Sequence, residues 1–404
     1  MGGALLQLVA QGQQDVFLTG NPQITFWKVV YRRHTNFAIE SIRQDPNTSS
    51  STGKTYTISR SGDLIHKCYL KVNAPKINQK TTGEASEYLS YVNKFGHALI
   101  DSVNLKIGGY VIDTQYGEFL DIWNELTVPS EKQEGYNAMT GIYETEMDLE
   151  NNNLARTYYI PLQFFFCQHP GLSLPLIALQ YHEVQIEFKL RPFREMLCCH
   201  ESATVDQLLS NGYDIESEEF DVSLFVDYIY LDVDERRRMA QSAHEMLITQ
   251  TKKISHVMGN GVSTGKIDLK NLNHPIKEII WVAKQNDQQT TEPKDYFRYF
   301  YNSSNGGHAA VMTVHNYQHT IHSINPQEIM KSASLTLNGT ERVDKRDNLF
   351  YRFIQPYQHH TRIPMDYIYL YSFALKPEEI QPSGSCNFSR VDNAYLNVEN
   401  YSEV

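Results

Sequence analysis

The residues most able to do chemistry in this sequence stand in a few small groups. Cys198, Cys199 and His200 are consecutive. A tetrahedral zinc site needs spaced ligand pairs, and no second pair follows here, so these read as ordinary loop thiols. The spacing Gly259-x-Gly261-x-x-x-Gly265-Lys266 is wrong for a phosphate-binding loop, and Ile267 stands where Ser or Thr is required. It reads as a flexible turn. His182-Glu183 lacks the second histidine of a zinc protease motif and falls in an alternating stretch. His359-His360 has no further ligand nearby in sequence and reads as a surface loop. The 47 acids allow many carboxylate pairs, and nothing singles one out. The expectation is that the chain has no catalytic, cofactor-binding or metal-binding residues, and needs no cofactor.

Charge and composition narrow the class. The net charge is −11, without the basic stripe of a protein that coats nucleic acid. The densest basic run, Arg236 to Arg238, follows Asp232, Asp234 and Glu235 and reads as a solvated helix face rather than a phosphate site. Five cysteines, an odd number without Cys-x-x-Cys, argue against a disulfide framework and suit a reducing compartment. No apolar run approaches the roughly 18 residues of a membrane span, and no secretory signal follows Met1. The chain is expected to be soluble and made in a cytoplasm. Asn47, Asn302, Asn338, Asn387 and Asn400 fit the Asn-x-Ser/Thr sequon, which reads as incidental outside a secretory route.

The elements that must position these residues come from an internal duplication. Ser102, Leu105, Ile107 and Gly109 recur 230 positions later as Ser332, Leu335, Leu337 and Gly339. Val103, Leu105 and Ile107 alternate with Ser102, Asn104 and Lys106; Ala333, Leu335 and Leu337 alternate with Ser334 and Thr336. Period two predicts strands with one buried face. Gly108-Gly109 and Asn338-Gly339 supply the positive φ of a tight hairpin. Asp113, Phe119 and Ile122 then match Asp344, Phe350 and Phe353 at an offset of 231. Tyr116, Phe119, Leu120 and Trp123 form a helical stripe, which Asp113 or Thr114 could cap. Tyr159-Ile160-x-Leu162-x-x-Phe165 recurs as Tyr367-Ile368-x-Leu370-x-x-Phe373, 208 apart, and Ile65 matches Ile276, 211 apart.

The changing offset places 23 extra residues within 127–156 of the first half and 19 within 284–327 of the second. Insertions go to exposed loops, where backbone polar groups meet water. Runs 223–231 and 268–282 read as strands. Single cores stop growing near 250–300 residues, so 404 residues predict two units. The expected division is an arm at 1–24, a first β-sandwich at 25–232, a helical linker at 233–245 and a second sandwich at 246–404. The second copy appears one closing strand short, and an open edge invites cover. The apolar arm residues Leu5, Leu6, Leu8 and Val9 either pack on their own sandwich or meet a neighbour at the base of the assembly.

Longer blocks carry a family resemblance. LVAQGQQDVFLTGNPQITFWKVVYRRHTNFAIESI (8–42), SRSGDLI (59–65), PGLSLPLIALQYHEV (170–184), DYIYLDVDERRR (227–238) and YLYSFALKPEEIQPSGSCNFSRVDNAYLNV (369–398) closely resemble the major capsid proteins of large nucleocytoplasmic DNA viruses, the chlorella-virus type included. The resemblance spans nearly the whole chain outside 127–156, 192–220 and 284–325. It implies an all-β fold of two tandem eight-stranded jelly rolls with short helices in the connections, and a further C-terminal segment that this sequence lacks. It implies a homotrimeric, pseudo-hexagonal capsomer that tiles an icosahedral shell with neighbouring capsomers. Minor capsid and penton proteins, and an internal membrane beneath the shell, complete the implied surroundings, with no direct nucleic-acid binding and with host contact through outer loops. The implied location is the virion, assembled in the host cytoplasm.

Two other classes compete. A carbohydrate-binding sandwich could stack sugars on exposed aromatics of the run Phe297 to Tyr301; the plainer reading is that these pack a loop or a seam between subunits. A glycoside hydrolase on a sandwich would need two carboxylates at fixed separation.

Overall fold

The computed structural model describes all residues except 1–2, 28–31, 79–88, 144–152, 200–204, 212–213, 216, 260–261, 285–295, 298, 300, 303–325 and 402–404. Eight strands build the first sandwich: β1 (Phe37–Gln44), β2 (Gly53–Thr57), β3 (Leu64–Ala74), β4 (Ile100–Ile107), β5 (Tyr110–Tyr116), β6 (Arg156–Pro161), β7 (Val184–Leu190) and β8 (Asp221–Leu231). One sheet runs β1-β8-β3-β6, and the facing sheet runs β2-β7-β4-β5, all antiparallel. Alternation drives this. From Cys68 to Ala74, β3 buries every second residue, and Leu70, Val72, Val103, Ile160, Ile186 and Val226 meet in one core. The predicted hairpin is present, with Gly108 and Gly109 at φ 59° and 84°, the left-handed pair that joins right-twisted strands.

The second sandwich repeats the pattern with β9 (Thr264–Asp268), β10 (Glu278–Trp281), β11 (Met330–Leu337), β12 (Thr340–Asp347), β13 (Tyr369–Ser372) and β14 (Ala394–Asn400). Its larger sheet runs β9-β14-β11-β12, matching β2-β7-β4-β5 strand for strand. Leu335 faces Leu396 as Leu105 faces Ile186. Asn338 and Gly339 make the hairpin at φ 49° and 78°. The short pair Ile276–Cys386 repeats Ile65–Leu174. Among the described residues the other sheet consists of β10 and β13, without a counterpart of β8. Residues 247–258, which the repeat aligns with β1, form no strand there: in the first half β1 is paired through β8 alone.

Several expectations need correction. The run 268–282 is not one strand: it breaks after Asp268, turns through His274 at φ 70°, and resumes as Pro275–Ile276 and β10. Asp113 and Thr114 do not cap a helix. Both lie in β5, and α1 (Gly117–Thr127) begins after Tyr116 without a side-chain cap. Asp113 instead accepts from the Thr251 N–H (2.8 Å) and from Gln115 (3.0 Å). The described part of the 127–156 insertion is no loop: it holds α2 (Ser130–Thr140), closed by Gly141 at φ 78°. The polar Gln133, Asn137 and Thr140 are its buried face, and Gln133 donates to Asn137 (2.8 Å). Most of 284–327 lies outside the described residues.

Between the halves runs α3 (Val233–Gln241), capped by Asp232. Arg236, Arg237 and Arg238 are exposed on it, and Arg236 pairs with Asp63 at 3.0 Å. At the N-terminus the helix Gly3–Val9 buries no residue. Leu5, Leu6, Leu8 and Val9 are exposed, as are Phe17, Phe26 and Trp27, so the arm does not pack on its own sandwich.

Candidate functional site

The chemistry-bearing side chains that the fold gathers lie at the joint between the two sandwiches, around α1. Glu118, Asp121 and Glu125 sit at spacings of three and four on this helix, on one face. The second sandwich answers each. Lys253 and Lys284 pair with Glu118 at 2.5 and 2.6 Å. Asp366 reaches Lys94 at 2.7 Å, and Lys94 reaches Asp121 at 3.0 Å. Arg362 pairs with Glu125 at 2.5 Å, bonds Gln133 on α2, and donates its backbone N–H to the Leu126 carbonyl. Tyr299 donates to Asp121 (3.3 Å). Four cations thus meet four carboxylates in a largely dry seam, which is how buried charge is tolerated.

The seam's electrostatics follow from this pairing. Burial works to raise the Glu118 carboxyl, but Lys284 and Lys253 outweigh it and hold the group at about 2. Asp121, completely buried, is held at about 2 in the same way by Lys94 and His97 against the cost of desolvation. Burial and the neighbouring Asp366 push Glu125 upward, against Lys94 and Arg362. Burial opposes the Lys94 ammonium, yet Asp121, Asp366 and Glu125 carry its pKa above the ordinary lysine value. His97 lies 3.4 Å from Asp121 and 3.0 Å from the Tyr136 hydroxyl. This His–Asp pair has no surface through which a substrate could reach it, since both side chains are 0% exposed.

The sequence-flagged groups fall elsewhere. Cys198 and Cys199 are not loop thiols: they lie buried in the strand Leu197–Cys199, with Cys198 Sγ 3.4 Å from Ser90 Oγ. His200 lies outside the described residues. All five cysteines are thiols. His182-Glu183 occupies the turn before β7 rather than a strand. Gly265 and Lys266 belong to β9, and the Lys266 ammonium stands 3.7 Å over the Tyr395 ring, so that end of the glycine motif is strand rather than turn. His360 is not a surface-loop residue. Its buried ring is clamped between Glu278 and Glu378, each at 2.8 Å. Desolvation works to lower its pKa, but the two carboxylates raise it to about 9. Of the aromatics proposed for sugar stacking, Phe297 and Tyr299 are buried in the first sandwich's core cluster, while Phe300 and the Tyr301 side chain lie outside the described residues. Among the described residues no group of three or more His, Cys, Asp or Glu could hold a metal ion, and no helix is long and apolar enough to cross a membrane.

Sequence reasoning missed the ionic seam. Its members come from segments up to 272 residues apart; the acidic spacing of Glu118, Asp121 and Glu125 along a half-apolar helix was the one signal available.

Two sandwiches of matching strand order, locked by a buried seam, define a double jelly-roll protein whose gathered groups hold architecture rather than substrate. Residues 25–232 match the family model described as major capsid protein N-terminus, and residues 235–404 match that of the large eukaryotic DNA virus major capsid protein. The major capsid protein of Pyramimonas orientalis virus is 41% identical, with 99% of this chain and 92% of that protein covered. That of Paramecium bursaria Chlorella virus 1 is 39% identical, with 98% and 87% covered. A quasi-atomic model of the latter virus's capsid superposes with a TM-score of 0.72 at 33% identity, covering 94% of this chain and 87% of that one. The chain belongs to the family of major capsid proteins of large eukaryotic DNA viruses. It is a structural capsid subunit and a component of the virion, not an enzyme.

Proposed function

We propose that three copies of this chain form a pseudo-hexagonal capsomer, and that capsomers tile an icosahedral shell assembled in the host cytoplasm. The observation that carries this reading is the duplication: β2-β7-β4-β5 and β9-β14-β11-β12 are the same sheet twice. Three single sandwiches give three lobes. Three tandem sandwiches give six near-equivalent lobes, which fill a hexagonal lattice, and ring closure limits the number of copies. The division into an arm at 1–24, sandwiches at 25–232 and 246–404, and a linker at 233–245 belongs to this proposal. So do the partners: neighbouring capsomers at the sides, with minor capsid and penton proteins and a membrane beneath the shell. In this reading the chain neither inserts into that membrane nor binds nucleic acid, and its outer loops are the parts available to a host surface. The exposed apolar arm, with Leu5, Leu6, Leu8 and Val9, supports a base contact with a neighbour or a minor protein. Native mass spectrometry or sedimentation of the purified chain tests the reading. A homotrimer is the expected species; a monomer at micromolar concentration overturns it.

A further inference from the structure

Two of the five cysteines share one face of the first sandwich's core. Cys68 lies in the middle of β3, where every second residue from His66 to Ala74 is buried. The strand is fixed on both edges there. Cys68 stands opposite Val226 of β8, and its carbonyl accepts from the Leu162 N–H at 3.0 Å. After Leu162 the chain folds over the same inner face. His66 donates from Nδ1 to the Phe166 carbonyl at 2.8 Å, and Phe165–Gln168 is a single helical turn in which Cys167 is buried. Leu162 thus pins the segment at Cys68, Phe166 pins it at His66, and Cys167 follows directly. The Cys68 thiol meets that of Cys167 and hydrogen-bonds to it. The other cysteines are placed differently. Cys198 and Cys199 are successive residues of a strand, so their side chains leave on opposite faces, and Cys386 is half-exposed in the second sandwich.

Both sulfurs are shielded, each residue being 1% exposed. The hydrogen bond to Cys167, together with burial, pushes the Cys68 thiol well above its ordinary range, so the closed pair is unreactive. The turn that carries Cys167 is the part able to open. It has four residues, and His169, Pro170 and Gly171 just beyond it are exposed. β3, by contrast, is hydrogen-bonded to β8 on one edge and to β6 on the other. Local opening of the turn presents Cys167 first and leaves Cys68 in place to meet it when the turn closes.

We propose that Cys68 and Cys167 are a latent disulfide, held as thiols in a reducing cytoplasm and joined by peroxide once the particle is outside the cell. Virion surroundings are oxidising where the cytosol is not. Hydrogen peroxide is small enough to enter the opened turn. The Cys167 sulfur takes a hydroxyl from it, giving a sulfenic acid and one water. The Cys68 sulfur then attacks the sulfenic sulfur, the S–O bond breaks, and the departing hydroxide leaves as a second water with the Cys68 proton. The two thiols lose two electrons, and the peroxide gains them. The new bond joins positions 99 apart and ties the centre of β3 to the connection after β6, which restricts the unfolded chain. The reducing stage rests on the cytoplasmic assembly proposed above; the cross-link itself does not.

The purified full chain tests the cross-link without any substitution. Reduced chain is treated with hydrogen peroxide, its remaining thiols are blocked with N-ethylmaleimide in denaturant, and it is digested and mass-analysed without reduction. The expected product joins the peptides of Cys68 and Cys167, two hydrogens lighter than their sum, and is lost on adding dithiothreitol. The oxidised chain should melt about 5–15 °C above the reduced one, and dithiothreitol should erase the difference. Cys167→Ala, oxidised in parallel, should show neither effect. Recovery of both cysteines as maleimide adducts after Cys386 has become a sulfinic acid overturns the proposal. So does conversion of Cys167 to a sulfinic acid without a cross-link, or pairing of Cys68 with another cysteine. The joined peptide is also expected in particles collected outside cells; its absence there, when the purified chain forms it, overturns the staging.

Discussion

Lys94 is the residue on which the joint can be tested most directly. Its side chain is 7% exposed, and the ammonium lies between Asp121, fully buried, and Asp366, 16% exposed. Lys94→Met keeps the length of the stem and removes the charge. Methionine also meets the same backbone demand, since residue 94 sits at φ 53° and any residue but glycine pays for that conformation. The variant leaves Asp121 with His97 and Tyr299 as its partners and leaves Asp366 facing two buried carboxylates. Breaking a buried pair from one side costs about 3–5 kcal/mol. For a unit of this size, each kcal/mol lowers Tm by about 2–4 °C, so the expected fall is about 6–20 °C in scanning calorimetry. Asp366→Asn removes the other pole. The double variant should lose less than the sum of the two single losses, by about 1–3 kcal/mol. A loss under about 1 kcal/mol for Lys94→Met, or additivity within about 0.5 kcal/mol, refutes the claim that this ion pair holds the sandwiches together.

Three further outcomes follow from named groups. Glu118 and Asp121 are held near 2, below their ordinary values of 4.5 and 3.8. The stability they contribute is present above about pH 4.5 and is lost as pH falls through about 2, while Glu125, shifted upward, offsets part of that loss. Urea midpoints should therefore drop steeply between pH 4 and pH 2.5, and a level profile there rejects the assignment. His360 has the opposite sign: raised from 6.5 to about 9, it stabilises fully below pH 6.5 and ceases to as pH rises through 9. His360→Gln should flatten stability between pH 7 and 9.5, and a wild-type profile already level across that range speaks against the clamp. Asn338 stands at φ 49° and accepts from the Asp392 and Asn393 N–H groups at 2.9 and 3.0 Å. Asn338→Ala should cost about 2–3 kcal/mol from both causes, and Asn338→Gly should restore the backbone part alone; equal losses for the two variants exclude a backbone component.

What the sequence disclosed and what it hid differ in range of interaction. Strand alternation and hairpin dipeptides are local, so Val103 to Ile107 and Asn338-Gly339 were legible, and the repeat located Ile65 with Ile276 although 211 positions separate them. Errors arose where a distant group claimed a side chain that a local rule had assigned. Asp113 looked like a helix cap, but the Thr251 N–H from the other sandwich takes its carboxylate. His360 looked solvent-facing because its two glutamates lie 82 and 18 residues away. The polar insertion looked like a loop because α2 buries amides rather than an apolar stripe. Gln133 and Asn137 satisfy one another, and Arg362 reaches in from the second sandwich. Phe297 and Tyr299 were legible as aromatic but not as core, since the core they enter belongs to the other half of the chain.

The joint at α1 forms once, between sandwiches tethered through α3, so association entropy is slight and the problem is register. Paired charges suit it: they gain little net energy over apolar packing but disfavour any shifted alignment, because a shift strands a buried ion. Glu118→Leu, which leaves Lys253 and Lys284 without their shared carboxylate, should therefore loosen the register of the joint. The expected sign is faster hydrogen exchange at the Arg362 N–H, which bonds the Leu126 carbonyl across the joint; unchanged protection there rejects the argument.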